Sequence, residues 1–139
     1  MNRTRTDDRL QFLSDLVTTA VENFGYGWFQ VDEYRWQNVA SPYAVIRSRD
    51  LPGRTARVDV DTVARGIGVV RRAVLRVPDD RPKGKPELHN AATGKLLHMS
   101  EAMRRRILDA SRDNDAGELD VVDALALVEC ALFGAVTFA

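Results

Sequence analysis

Residues 120–139, Asp120-Val-Val-Asp-Ala-Leu-Ala-Leu-Val-Glu-Cys-Ala-Leu-Phe-Gly-Ala-Val-Thr-Phe-Ala139, read as a helix that is apolar almost all round, followed by a strand-like tail. Asp120 suits the N-cap, where its carboxylate accepts from the free amides of the first turn. Gly134 stands where a helix needs a residue tolerant of positive φ in order to stop. Val121, Ala124, Leu125, Val128, Ala131 and Leu132 cover more than one stripe, so this helix is expected at the centre of the core. A chain that closes on its own core helix is expected to form one compact domain.

At 139 residues the chain has the length of one domain, able to bury roughly two-thirds of its unfolded surface. Twenty basic and twenty acidic side chains cancel, so no global charge favours nucleic acid or an anionic membrane. Three lysines stand against seventeen arginines, a bias that with abundant Ala, Val and Asp suggests a GC-rich bacterial genome. The lone Cys130 excludes an internal disulfide and fits the reducing cytoplasm of a bacterial host. No apolar run reaches the roughly 18–20 residues that span a bilayer, and the opening residues lack the apolar core of a signal peptide.

Residues 1–7 read as a short frayed lead to a domain at 8–139. From position 8 to 24, Leu10, Leu13, Leu16, Val17, Ala20, Val21 and Phe24 follow helical spacing, and Gly25-Tyr-Gly27 ends that helix. Residues 28–37 and 42–48 read as a hairpin of two strands, with 55–60 as a third. Asp59 or Asp61 caps a second helix with Val63, Ile67, Val70 and Val74 on one face. Gly66 and Gly68 weaken it by roughly 1 kcal/mol each relative to alanine, which points to close packing there. Five Pro and Gly residues at 77–95 predict one long loop without regular structure. Ser100 caps a third helix, with Met103, Ile107 and Ala110 inward and Arg104, Arg105 and Arg106 largely outward. The expected fold is α+β: a small antiparallel sheet packed on one face by about four helices, with residues 135–138 as a further strand.

The segment Leu16-Val-Thr-Thr-Ala-Val-Glu-Asn-Phe-Gly-Tyr-Gly-Trp28 resembles a pattern of small phage and prophage proteins, in which a helix ends in Thr-Ala-Val/Ile-Glu-Gly-Gly before Tyr-Trp. The chain's other end resembles the same family's closing signature, Asp-x-x-x-Ala-Asp followed by Gln-x-x-Leu-Phe-Gly-Glu-Val-Val-Tyr-Gly. Here it stands as Asp120-Val-Val-Asp123 through Ala131-Leu-Phe-Gly-Ala-Val-Thr-Phe138. Asn23-Phe24 replaces the glycine pair, Glu129 sits near the glutamine, and Ala135 replaces the glutamate. The resemblance spans about a third of the chain and implies a phage or prophage origin rather than a reaction.

Catalytic chemistry finds little footing. His89 and His98 lie nine apart with no further metal ligands in register. Cys130 falls in a helix expected to be buried, where a thiol is inert. Gly25-Tyr-Gly27 follows a helix instead of opening one, contrary to a dinucleotide loop. No enzyme, metal or cofactor is therefore expected. Binding has more to work with. Trp28, Tyr34 and Trp36 share strand parity with Gln30 and Asp32, giving either an aromatic face for stacking a ligand or a roof over the core. Arg71, Arg72, Arg76, Arg81, Lys83 and Lys85 form a basic run that either grips an anion or stays solvated near a helix C-terminus. Arg72 and Arg76, four apart, are expected to act together on one helix face.

These residues define the expected ligand site: Trp28, Tyr34, Trp36, Arg72, Arg76, Arg81 and Lys83. The function they suggest is that of a phage- or prophage-encoded, non-enzymatic binder that interferes with host machinery or defence. It would sequester a small nucleotide signal or dock on a host protein. A nucleic-acid-binding accessory protein is the second class, disfavoured by the neutral charge, and a structural virion component is a third. An exposed sheet edge predicts self-association into a homo-oligomer.

Overall fold

The computed structural model describes residues 5–24 and 29–137. Four helices and two antiparallel sheets alternate in an α+β arrangement. In chain order they are α1 (Asp7–Glu22), β1 (Gln30–Arg35), β2 (Tyr43–Arg47), β3 (Thr55–Val58), α2 (Val60–Arg72), β4 (Val74–Arg76), β5 (Glu87–His89), α3 (Glu101–Asp113) and α4 (Val121–Phe133). None of the described helices is long and apolar enough to cross a membrane.

Local chemistry sets the helix boundaries. Thr6 caps α1 by accepting from the Arg9 amide at 3.2 Å. Thr6 and Asp7 thus form the helix start, one residue before the expected domain boundary, and Arg5 reaches Asp61 of α2 at 2.8 Å. Asp59 and Asp120 each build a reciprocal capping box, with Thr62 and Asp123 respectively. Gly134 ends α4 in the left-handed region at φ 78°, and Asn114 does the same for α3 at φ 51°. Arg9 places a cation at the α3 C-terminus, donating to the Ser111 carbonyl at 2.7 Å and to Asn114 Oδ1 at 3.0 Å. The α1 stop at Gly25-Tyr-Gly27 lies outside the described residues.

Packing centres on the α2–α4 pair, with α1 against both and α3 against α2. Gly66 makes the pair close: a Cβ there would run into the Leu127 carbonyl group, 2.8 Å from its carbon. The face α4 buries is Ala124, Leu127, Val128 and Cys130, all almost inaccessible. Of the expected core set, Ala124 and Val128 are enclosed, Leu125, Ala131 and Leu132 are half-buried and Val121 is exposed, so α4 is central but not buried all round.

The larger sheet runs β1-β2-β3. On β2 the alternation is clean: Ala44 and Ile46 face the core with Val58 of β3, and Tyr43, Val45 and Arg47 do not. The outer face carries a polar network in which the Tyr43 hydroxyl donates to Glu33 at 3.1 Å, Arg35 donates to Glu33 at 2.8 Å, and the Arg57 guanidinium lies 3.9 Å from the Tyr43 ring centre. These bonds from Arg35, then Tyr43, hold the Glu33 carboxyl below the usual carboxylate range.

Two expectations about regular structure fail. The span 77–95 is broken by β5, which pairs with β4 in the register Val74↔His89, Leu75↔Leu88, Arg76↔Glu87. The Asn90–Lys95 turn then folds back so that His89 bridges Leu96. The tail at 135–137 forms no strand: the Val136 amide bonds the Leu97 carbonyl at 2.9 Å, but Thr137 turns away to Glu129. Phe138 lies outside the described residues.

Candidate functional site

The expected aromatic face does not form as one surface. A β-bulge between Val31 and Glu33 inserts Asp32 as an extra residue, so the parity of Gln30, Asp32, Tyr34 and Trp36 is lost. After the bulge, Tyr34 pairs with core-facing Ala44 and packs against the core, its hydroxyl buried without a partner among the described residues. Trp36 follows the end of the strand and is 57% exposed. Trp28 lies outside the described residues. Asp32 takes an ion pair with Arg47 at 2.9 Å.

The basic run is also divided. Helix α2 ends at Arg72, so Arg76 belongs to β4 and shares no helix face with it. The Arg72 guanidinium folds back to within 3.1 Å of where a Gly68 Cβ would stand. Arg81 is spent on Glu87 at 3.0 Å, and Lys83 is exposed in the loop beyond. Tyr34 and Trp36 thus sit on or beside the three-stranded sheet, and Arg72, Arg76, Arg81 and Lys83 cluster around the two-stranded one. Arg106 is outward, as expected, yet its exposed guanidinium also makes a two-pronged bond to buried Asp123 of α4, at 3.0 and 2.6 Å.

A concave site is built elsewhere, where the segment after β5 crosses the end of α4. Asn90 nucleates it. Its Oδ1 accepts from the amides of Ala92 and Thr93 at 2.8 and 3.2 Å, forming the turn that Gly94 completes at φ 76°. Its Nδ2 donates to the Gly134 carbonyl at 3.0 Å, fastening the turn to the α4 terminus. Lys95 adds a second fastening through Nζ to the Phe133 carbonyl at 3.1 Å, a cation on a helix C-terminal carbonyl. Leu97 is fully buried and bonded on both sides, its amide to Leu88 and its carbonyl from Val136, each at 2.9 Å. Between buried Leu97 and Met99, His98 is forced to φ 57° and stands exposed. Backbone strain of this kind persists only where neighbours fix it, and it concentrates at sites of function.

His98 separates two clefts of about 670 Å³ each, within the size range of small-molecule sites. The first is lined by Asp50, Lys95, His98, Phe133, Val136 and Thr137, together with Leu96 and Ala135. The Phe133 ring is held by parallel stacking on buried Phe29, centres 6.3 Å apart, and Phe29 meets Phe24 edge-on at 5.1 Å. The second cleft runs on from Leu96 and His98 to Leu75, Leu88 and Met99. The first therefore combines an ammonium group, an imidazole, a carboxylate (Asp50), an aromatic ring and an apolar wall.

No family model, curated protein or solved structure matches the chain. The reading of the site therefore stands on its chemistry. Among the described residues, no group of three or more His, Cys, Asp or Glu is placed to hold a metal ion. Burial first, then the charge of Glu129, pushes the Cys130 thiol up to about 12, which keeps it protonated and unreactive near neutral pH. Of the residues lining this cleft, the sequence points to Phe133, Ala135, Val136 and Thr137 only through the closing signature, and to His98 only as a metal ligand that lacks companions. The Asn90-Ala-Ala-Thr-Gly94 turn was a usable signal, because Asn followed by a left-handed Gly predicts a side-chain-capped turn. Its apposition to Phe133 had no signal, being a contact across about forty residues.

Proposed function

We propose that this protein is a non-enzymatic binding protein that captures a small molecule in the cleft beside His98. The observation that carries the reading is the convergence of Lys95, His98 and Phe133 on one concavity whose backbone is fastened from both sides. Lys95 supplies positive charge, Phe133 and Val136 supply an apolar surface, and His98 supplies a donor or acceptor according to its tautomer. A planar ligand bearing an anionic group, such as a nucleotide, matches that set.

The resemblance of both chain ends to small phage and prophage proteins supports a biological setting. In it, the captured molecule is a host signal and the protein acts by withdrawing it inside the bacterial cell. Native mass spectrometry tests the reading. Protein purified from its bacterial host carries a small molecule that Lys95→Ala, His98→Ala loses, and denaturation releases that molecule chemically unchanged. A wild-type protein at bare chain mass under gentle ionisation contradicts capture. A ligand released as a converted species contradicts the non-enzymatic part.

A further inference from the structure

Among the described residues, five of the seven large apolar side chains left exposed fall in two patches. Val74, Leu75 and Val77, at 37, 52 and 42% exposure, lie on and just after β4. Val121 and Val122, at 37 and 59%, open α4. β4 pairs only with β5, whose other side is taken by Leu96, so one edge of β4 is open. Such an edge with apolar side chains is a template for association.

The two patches carry opposite charge. Residues 71–87 hold six basic and three acidic side chains, and residues 109–123 hold six acidic and one basic; Arg105 and Arg106 stand among the latter carboxylates on the folded surface, leaving a smaller acidic excess. In the first, Arg72, Arg76, Lys83 and Lys85 have no ion-pair partner among the described residues. In the second, Asp115, Glu118 and Asp120 are exposed and equally without one. The chain as a whole is neutral, so each patch's excess is offset by charge elsewhere on the same molecule.

We propose that two copies of this chain associate by docking the basic, apolar β4 edge of one on the acidic, apolar start of α4 of the other. A like-on-like contact through β4 would gather the unpaired Arg72 and Arg76 of both copies, whereas basic on acidic pairs them and covers the valines and Leu75 together. Either a closed dimer with two such contacts or a longer head-to-tail assembly satisfies this contact. The inference is independent of the first cleft beside His98, because Lys95, Phe133 and Thr137 take no part in it; Leu75 and Lys85 line only the second.

Sedimentation velocity on the full chain tests it. The wild type sediments above its 15.5 kDa monomer mass at micromolar concentration in low salt. It shifts toward the monomer as ionic strength rises to about 0.5 M, since exposed ion pairs are screened. Leu75→Glu and Val122→Lys, both at exposed positions, each weaken association at least tenfold, and an equimolar mixture of the two regains a one-to-one complex. Each variant retains one intact patch, so only basic-on-acidic docking allows that rescue. The charge reversals Arg76→Glu and Glu118→Lys form a second pair with the same expectation. A wild type that stays monomeric throughout, or variant mixtures that fail to associate, would overturn the proposal.

Discussion

Gly66 of α2 meets the Leu127 carbonyl of α4 with no room for a side chain, since a Cβ at position 66 would lie 2.8 Å from the carbonyl carbon and closer still to its oxygen. Both partners are backbone, so neither can swing aside. Gly66→Ala is expected to destabilise by about 1–3 kcal/mol, the range for overpacking, although alanine is intrinsically the better helix former by roughly 1 kcal/mol. Gly68→Ala is the contrast. There the obstacle is the end of the Arg72 side chain at 3.1 Å, which can move, so that variant should melt at or above the wild-type temperature.

Core position separates two leucines of α4. Leu127 is fully buried, and Leu132 is half-buried at the edge of the core. Leu127→Ala should lower stability by about 2–5 kcal/mol, and Leu132→Ala by clearly less. Urea denaturation of the two variants gives the order directly, and an inverted order would mean that α4 is turned the other way.

The Arg106–Asp123 pair fixes α3 on the start of α4. Asp123 is completely buried and also accepts from the Asp120 amide at 3.1 Å. Its bonds to Arg106, ahead of simple charge attraction, push the guanidinium pKa up. Removing Arg106 leaves a buried carboxylate short of donors, so Arg106→Met is expected to destabilise by about 1.5–3 kcal/mol. Arg106→Lys should rescue little of it, because an ammonium cannot reproduce the two-pronged geometry. Equal stability of the lysine variant and the wild type would show that charge alone suffices.

Alkaline pH should weaken the fold through Cys130. Its thiol rises from 9.0 to about 12 in the folded state, through burial and then Glu129. Across that window the unfolded chain releases a proton that the folded chain keeps. The contribution to stability is therefore fully present below about pH 9 and is lost as pH climbs toward 12. Tyr34, raised by burial and then by Glu22, acts with the same sign. The melting temperature of Cys130→Ala should fall less steeply with pH above 9 than that of the wild type, and parallel slopes would remove the thiol from the account.

The parts of the fold legible in the sequence were those fixed by local chemistry. Asp59, Ser100, Asp120 and Gly134 end or begin helices through bonds within a few residues of themselves, and the β2 alternation follows from the pleat. What stayed hidden depended on distant partners. The bulge at Asp32 is a mismatch between strands, not a property of one strand, and it undid the parity of Tyr34 and Trp36. Helix α4 is apolar on every side, so its pattern showed that it is buried without showing which face meets Gly66. The β4–β5 pair has three residues per strand, too short for periodicity to register. The bond from exposed Arg106 to Asp123 was hidden because its partner lies seventeen residues on. The cleft beside His98 was hidden for the same reason, since it arises where Asn90 and Lys95 reach the end of α4.

Capture of a planar anion beside His98 is tested most directly by amide NMR shifts of the labelled protein, titrated with a panel of nucleotides and planar aromatic carboxylates. The account predicts that at least one member produces saturable shifts concentrated at 94–98 and 133–137, and that Lys95→Ala weakens its binding at least tenfold. Shifts gathering instead around Trp36, Arg72 and Arg76, or no saturable shift near His98 with any member, would contradict it.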